Sequence, residues 1–265
     1  MKIYISADIE GVTGVTHWDE TELNKPESLT AREQMTAEVV AACEGATQAG
    51  ATEIWVKDAH GTGRNLIAAR LPQDIRLIRG WSGHPCMMLE ELDGTFDAVL
   101  LIGFHAGAGA GANPLSHALA RNITRITLND RPASEFLIHA YAASLLQVPI
   151  ALVSGDKGLC DEVTDLNPHI RVVPVKEGMG SSTINIHPAV ATRRIREGVK
   201  EALAGDLARC QVSLPPRFSL ELEHRDHFKA YQYGFFPGAS QKDPLTVQFQ
   251  SESYYEVLRF LLFAT

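Results

Sequence analysis

The sequence predicts an α/β protein: a doubly wound, mostly parallel sheet domain with a smaller α+β C-terminal domain. Three observations carry this expectation. Strand and helix signals alternate β-α-β-α through the first half, the order that builds a parallel sheet. The run Ala98–Phe104 is apolar with no period of two, as expected of a strand covered on both faces. The second half is less regular and is punctuated by Leu214-Pro215-Pro216.

The elements follow in order. Residues 2–9 are β-rich and alternate. Thr30-Ala31-Arg32-Glu33 has the form of a capping box; Met35, Val39, Val40 and Cys43 then recur at helical spacing, and Gly50 is a stop. Strands are predicted at Glu53–Asp58 and Ala98–Phe104, a helix over 134–147 and a buried strand over 149–154. Beyond these come a strand over 170–175, a helix from Pro188, a strand over 218–222, a Gly/Pro loop over 234–244, a strand over 245–250 and a helix through Phe263. The expected division is a catalytic α/β domain over 1–185 and a smaller domain over 186–265, with the boundary between 165 and 215. No internal repeat or low-complexity tract is present.

Composition narrows the function classes. The 265 residues carry 24 Lys+Arg against 32 Asp+Glu, a formal charge of -8. An extended nucleic-acid surface needs clustered cations, so none is expected. No stretch of 18 apolar residues exists to span a membrane. The N-terminal residues contain no signal-peptide apolar region before Asp8. Cys43, Cys86, Cys160 and Cys210 form no CxxC pair and read as reduced thiols of a cytoplasmic protein.

Chemistry-bearing side chains collect at predicted strand ends. Asp8 and Glu10 share one face at the end of the first strand, just before Gly11. Like charges so close call for a cation. The second strand ends in Asp58-Ala59-His60, the run to Phe104 ends in His105, and Glu135 opens a helix beside them. In open α/β sheets this carboxyl edge is where ligands bind. Asp8, Glu10, His60, His105 and Glu135 mix imidazole and carboxylate without thiolate, which suits Zn²⁺, with Mn²⁺ or Co²⁺ as substitutes. Five ligands exceed the needs of one catalytic zinc; two ions sharing a bridging carboxylate would use them all. Any one of these residues alone reads as a cap or a solvated group, and no HExxH motif is present.

At these residues the chain resembles the zinc-dependent D-aminopeptidase family of the DppA type. The resemblance rests on Ser6-Ala7-Asp8-Ile9-Glu10-Gly11, Lys57-Asp58-Ala59-His60-Gly61, Gly103-Phe104-His105-Ala106, Ser116-His117 and Asn129-Asp130-Arg131-Pro132-Ala133-Ser134-Glu135. Val153-Ser154-Gly155-Asp156 and Thr246-Val247-Gln248-Phe249-Gln250 extend it over nearly the whole chain. It implies that Asp8 bridges two zinc ions completed by Glu10, His60, His105 and Glu135. It also implies that His117 is the catalytic histidine, as nucleophile or as general acid/base. The implied activity is removal of N-terminal D-residues from short peptides by a homo-oligomer of stacked rings. This chain departs from the pattern in its glycine-rich segment 106–112 and in His139, four residues after Glu135.

The other signals have plainer readings. Gly107-Ala108-Gly109-Ala110-Gly111-Ala112 fits G-x-G-x-x-A, but Asn113-Pro114 follows where a dinucleotide site needs a helix; a mobile flap over the metal edge is the expectation. His139 either supports Glu135 or packs. His224 and His227 read as a solvated charged face, and Arg193, Arg194 and Arg196 as a solvated helix face or an oligomer contact. The residues alone leave two alternatives open: another metal-dependent hydrolase of amides or phosphoesters, and a non-catalytic peptide-binding protein.

Overall fold

A computed structural model describes residues 1–265. Its elements in chain order are β1 (Lys2–Ala7), α1 (Ser28–Gln48), β2 (Glu53–Asp58), β3 (Ile75–Ile78), β4 (Ala98–Phe104), β5 (Ile123–Leu128), β6 (Arg131–Pro132), α2 (Glu135–Leu145), β7 (Ile150–Asp156) and α3 (Lys157–Leu166). They continue as β8 (Arg171–Met179), β9 (Ser182–Asn185), α4 (Pro188–Leu203), β10 (Phe218–His224), α5 (His227–Tyr233), β11 (Ala239–Gln241), β12 (Thr246–Ser251) and α6 (Tyr254–Ala264).

The first sheet has the order β3-β2-β1-β4-β7-β8-β9 and is parallel except for the β8–β9 hairpin. Its centre, β4 and β7, is buried at every residue, which is why Ala98–Phe104 shows no alternation. Ile3, Ile5 and Ala7 face one way, toward Met35 and Val39 of α1 and Ile195 and Val199 of α4. Tyr4, Val99, Leu101 and Val153 face the other way, into a core shared with α2, α6 and the second sheet. That second sheet, β11-β12-β10-β5-β6, is antiparallel. Helix α2 is buried along Glu135–Ser144; a helix apolar on all sides needs cover on all sides.

The sheets do not divide the chain at one point. β5 and β6, at 123–132, belong to the second sheet, while α4, at 188–203, covers the first. The expected boundary near 185 therefore does not coincide with the division between sheets. Helix α1 starts at Ser28, and Glu27 caps it without a side-chain bond, so Thr30 and Glu33 lie inside the helix rather than at its start. His224 is buried, not solvated: strand β10 buries every second residue from Phe218, and His224 falls on the inward phase.

Candidate metal centre

Four chain segments deliver polar side chains to the carboxyl edge of the first sheet. After β1 the chain turns against the end of β4: Asp8 N–H donates to the Ile102 carbonyl and Gly11 N–H to that of Gly103, both at 2.8 Å. A Cβ on Gly11 would stand 1.7 Å from the Phe104 carbonyl oxygen, and Gly103 has φ +73° against the Asp8 carbonyl. Only glycine meets both demands. Asn113 Nδ2 and Lys176 Nζ donate to the Glu10 carbonyl. Asp156 accepts from Asn113 Nδ2 at 3.0 Å and from Ala106 N–H at 2.8 Å, which ties the segment after His105 to that of Glu10.

The imidazole orientations follow from their outer partners. His60 Nε2–H donates to the Thr21 carbonyl at 3.0 Å. Its Nδ1 therefore faces Asp8 Oδ1 at 3.3 Å and Glu10 Oε2 at 3.0 Å. His105 Nδ1–H donates to the Ala106 carbonyl at 2.9 Å, leaving Nε2 3.4 Å from both Asp8 Oδ2 and Glu135 Oε2. Glu135 opens α2, where Ser134 Oγ accepts from Leu137 N–H as N-cap. Its Oε1 accepts from Leu119 N–H at 2.7 Å. His117 Nδ1–H donates to the Leu115 carbonyl at 3.0 Å, and its Nε2 stands 3.9 Å from Glu135 Oε1. The His117 ring lies parallel to His105, 6° and 4.4 Å apart, and edge-on to Trp18.

With the outer ring nitrogens donating, the inner nitrogens of His60 and His105 face carboxylate oxygens in a buried space and need a proton or a metal ion between them. Glu10 Oε2 and His105 Nε2 are buried and lack any hydrogen-bond partner. Donor atoms of Asp8, Glu10 and His105, and those of His105, His117 and Glu135, each lie within 4.8 Å of one another. Nitrogen and carboxylate ligands without thiolate fit zinc. The charges are strongly divided. Burial and the neighbouring Glu10 raise Asp8. Burial opposes ionisation of Glu10, but His60 outweighs it and holds Glu10 well below the usual carboxylate range. Burial likewise opposes ionisation of Glu135, but His105 outweighs it and holds Glu135 at about 2. Burial disfavours charge on His60 and His105, yet Glu10 on the first and Glu135 on the second prevail and hold both well above the ordinary imidazole value. Such division marks a site whose carboxylates demand positive charge.

A family model described as D-aminopeptidase matches residues 1–263. The chain belongs to the D-aminopeptidase family. It is similar to the D-aminopeptidase of Bacillus subtilis (strain 168), 31% identical over 267 residues, covering 100% of this chain and 97% of that protein. It is also similar to a solved structure described as the Zn-dependent D-aminopeptidase DppA from Bacillus subtilis, a self-compartmentalizing protease. That likeness has TM-score 0.92 and 30% identity, and covers 100% of this chain and 96% of that one.

Within this family member, Asp8, Glu10, His60, His117 and Glu135 line one cavity of about 460 Å³, with His105 buried beside them. Sequence reasoning missed its walls: Trp18, Trp81, Met87, Leu262 and Arg121. The chain has three tryptophans, and two of them line this cavity, Trp18 from a single 3-10 turn and Trp81 from a loop, a signal that periodicity does not register. Lys57 holds one wall; it is buried, pairs with Glu90 at 2.6 Å and lies 4.0 Å from the Trp81 ring. No residue of the glycine-rich segment lines the cavity, so the segment does not lie over the metal edge as expected of a flap. Gly107 packs on Ser134, and the Ala112 carbonyl accepts from Gly178 N–H, which holds the segment away from the cavity. His139 Nδ1–H donates to the Glu135 backbone carbonyl at 2.7 Å, so it supports the helix turn rather than the carboxylate.

Proposed function

We propose that this chain is a dinuclear zinc aminopeptidase that removes N-terminal D-residues from short peptides. One observation carries the reading: buried imidazole nitrogens and carboxylate oxygens from three strand ends and a helix start face one another at 3.0–3.4 Å, with the outer imidazole nitrogens bonded to backbone carbonyls. Asp8, Glu10, His60, His105 and Glu135 would hold the ions. Asp8 presents Oδ1 to His60 and Oδ2 to His105, which suits a bridging carboxylate. Bound zinc supplies Lewis acidity toward the peptide carbonyl. His117 is the catalytic residue: its Nδ1–H is committed to Leu115, so Nε2 takes a proton from the water that attacks the peptide carbonyl and returns it to the leaving amine as the C–N bond breaks. D-specificity is supported by the likeness to two D-aminopeptidases, and zinc by the likeness to the Zn-dependent one.

We also infer a cytoplasmic homo-oligomer. Self-compartmentalization is described for the solved relative, and all four cysteines are unpaired and buried. The deciding experiment combines metal analysis, turnover of paired D- and L-alanyl peptides, and sedimentation. It should give two zinc ions per chain, D-selective hydrolysis and a particle well above 28.9 kDa. Metal-loaded protein that binds these peptides without cutting them would refute the enzyme reading.

A further inference from the structure

The cavity that holds the candidate metal ligands is lined by acids: Asp8, Glu10, Glu22, Glu90 and Glu135. Arg121 is the one arginine or lysine among its lining residues. A short peptide is a zwitterion. Asp8, Glu10 and Glu135 would be neutralised by the ions they hold, and Glu90 is paired with Lys57, so Arg121 is the side-chain cation in the cavity wall that can meet the peptide's carboxylate end.

Arg121 is placed for that task. Its guanidinium carbon lies 4.2 Å from the Trp18 ring centroid. Trp18 meets His117 edge-on at 5.3 Å, and His117 stacks on His105. A continuous row of planar groups therefore runs from the candidate metal ligands to Arg121. Both members of the Arg121–Trp18 pair are tied to that centre. On one side, Leu119 N–H is held by Glu135 Oε1, and the Arg121 and Asn122 carbonyls accept from Arg225. On the other, the turn that starts at Trp18 ends at Thr21, whose carbonyl accepts from His60. Stacking on an aromatic face orients the guanidinium before any ligand arrives.

The guanidinium is also available. Its one side-chain ion pair is Nη1 to Glu22 Oε1 at 3.3 Å, with both side chains at least half exposed. An exposed single-contact pair contributes little, and a planar bidentate pairing with a second carboxylate is stronger.

We propose that Arg121, stacked on Trp18, binds the C-terminal carboxylate of the peptide, so that the enzyme prefers short peptides with a free carboxylate over their amides. This rests on the aminopeptidase reading above.

The test compares D-alanylglycine with D-alanylglycinamide on zinc-loaded wild type, Arg121→Gln, Arg121→Lys and Glu22→Gln. The wild type should favour the acid in kcat/KM. Arg121→Gln should lower the acid-to-amide ratio about 10–100-fold, through KM rather than kcat. Arg121→Lys should restore part of the ratio, and Glu22→Gln, which removes a competing carboxylate, should raise it. An acid-to-amide ratio that is the same in all four proteins overturns the proposal while leaving the aminopeptidase reading intact. If wild type cleaves neither compound, the aminopeptidase reading fails. Calorimetric Kd values for the two ligands then decide the carboxylate site: tighter acid binding that depends on Arg121 upholds it, and equal Kd values overturn it. Should Arg121→Gln fail to fold, the Lys and Glu22 variants carry the same comparison.

Discussion

At the scale of single residues, the informative contrast is between His117 and its neighbour His105. The rings stack, yet their free nitrogens meet different surroundings. His105 Nε2 is fully buried between Asp8 and Glu135 with no hydrogen-bond partner. His117 Nε2 stands farther from Glu135, and the residue lines the cavity. His117→Ala should therefore keep its zinc and lose kcat by about 10²–10⁴-fold, the usual contribution of a proton carrier, with KM little changed. His105→Ala and Asp8→Ala should lose metal. Zinc stoichiometry measured beside kcat in the three variants decides it; zinc loss in His117→Ala equal to that in His105→Ala would make His117 a ligand. Asp8, Glu10, His60, His105 and Glu135 were legible because each stands at a strand end or helix start. Their meeting was not legible from spacing, because the sheet order β2-β1-β4 closes gaps of tens of residues. Trp18 and Arg121 were invisible for another reason: a single 3-10 turn and a loop carry no period, and their role depends on a partner distant in the chain.

At the scale of the element, α1 contains a charge problem that its sequence does not advertise. Glu38 lies on the inner face of the helix, fully buried. Its Oε1 accepts from Thr13 N–H and from Gln34 Nε2, both at 3.1 Å, while Oε2 has no partner. Burial pushes its carboxyl up to about 7; its two hydrogen bonds and Lys176 pull the other way and lose. In the unfolded chain the same group titrates near 4.5. Between these values the unfolded chain gives up its proton first, so stability from this group falls as pH rises from 4.5 to 7. Above that window the full cost, roughly 3 kcal/mol, is present. Glu38→Gln removes the ionisation. It should raise the Tm at pH 8, with the gain shrinking toward zero at pH 4.5; a gain independent of pH would refute this account. Elements were legible where one pattern ruled. The apolar run of β4 announced a central strand, whereas Ile-Thr-Arg-Ile-Thr-Leu in β5 buries residues 123, 126 and 128 with its period broken, and no strand was expected there. The capping-box letters at Thr30 and Glu33 recur by chance inside a helix that begins one half-turn earlier.

At the scale of the whole molecule, the centre is a junction between layers. Asp8, Glu10, His60 and His105 follow strands of the first sheet, while Glu135 opens α2, which runs between that sheet and the second one. The chain reaches α2 only after building β5 and β6 in the second sheet. This excursion is not legible in the sequence, because sequence patterns report local periodicity, not which sheet a strand joins. Three buried carboxylates held together from separate layers repel one another, and cations between them bind the folded chain alone. A ligand that binds only the native state stabilises by RT ln(1 + [L]/Kd), about 2.7 kcal/mol at a hundredfold excess over Kd. For a chain of this size each kcal/mol moves the Tm by about 2–4 °C. At fixed protein concentration, chelator-treated protein should therefore melt several degrees below the zinc-loaded form. Its Tm should climb with the logarithm of free zinc on titration. Asp8→Ala should flatten that dependence, because the shared carboxylate is gone, whereas His117→Ala should retain it. A wild-type Tm that is indifferent to chelator and to added zinc would mean that no cation joins these layers, and the carboxylates would then have to be neutralised by the two imidazolium groups alone.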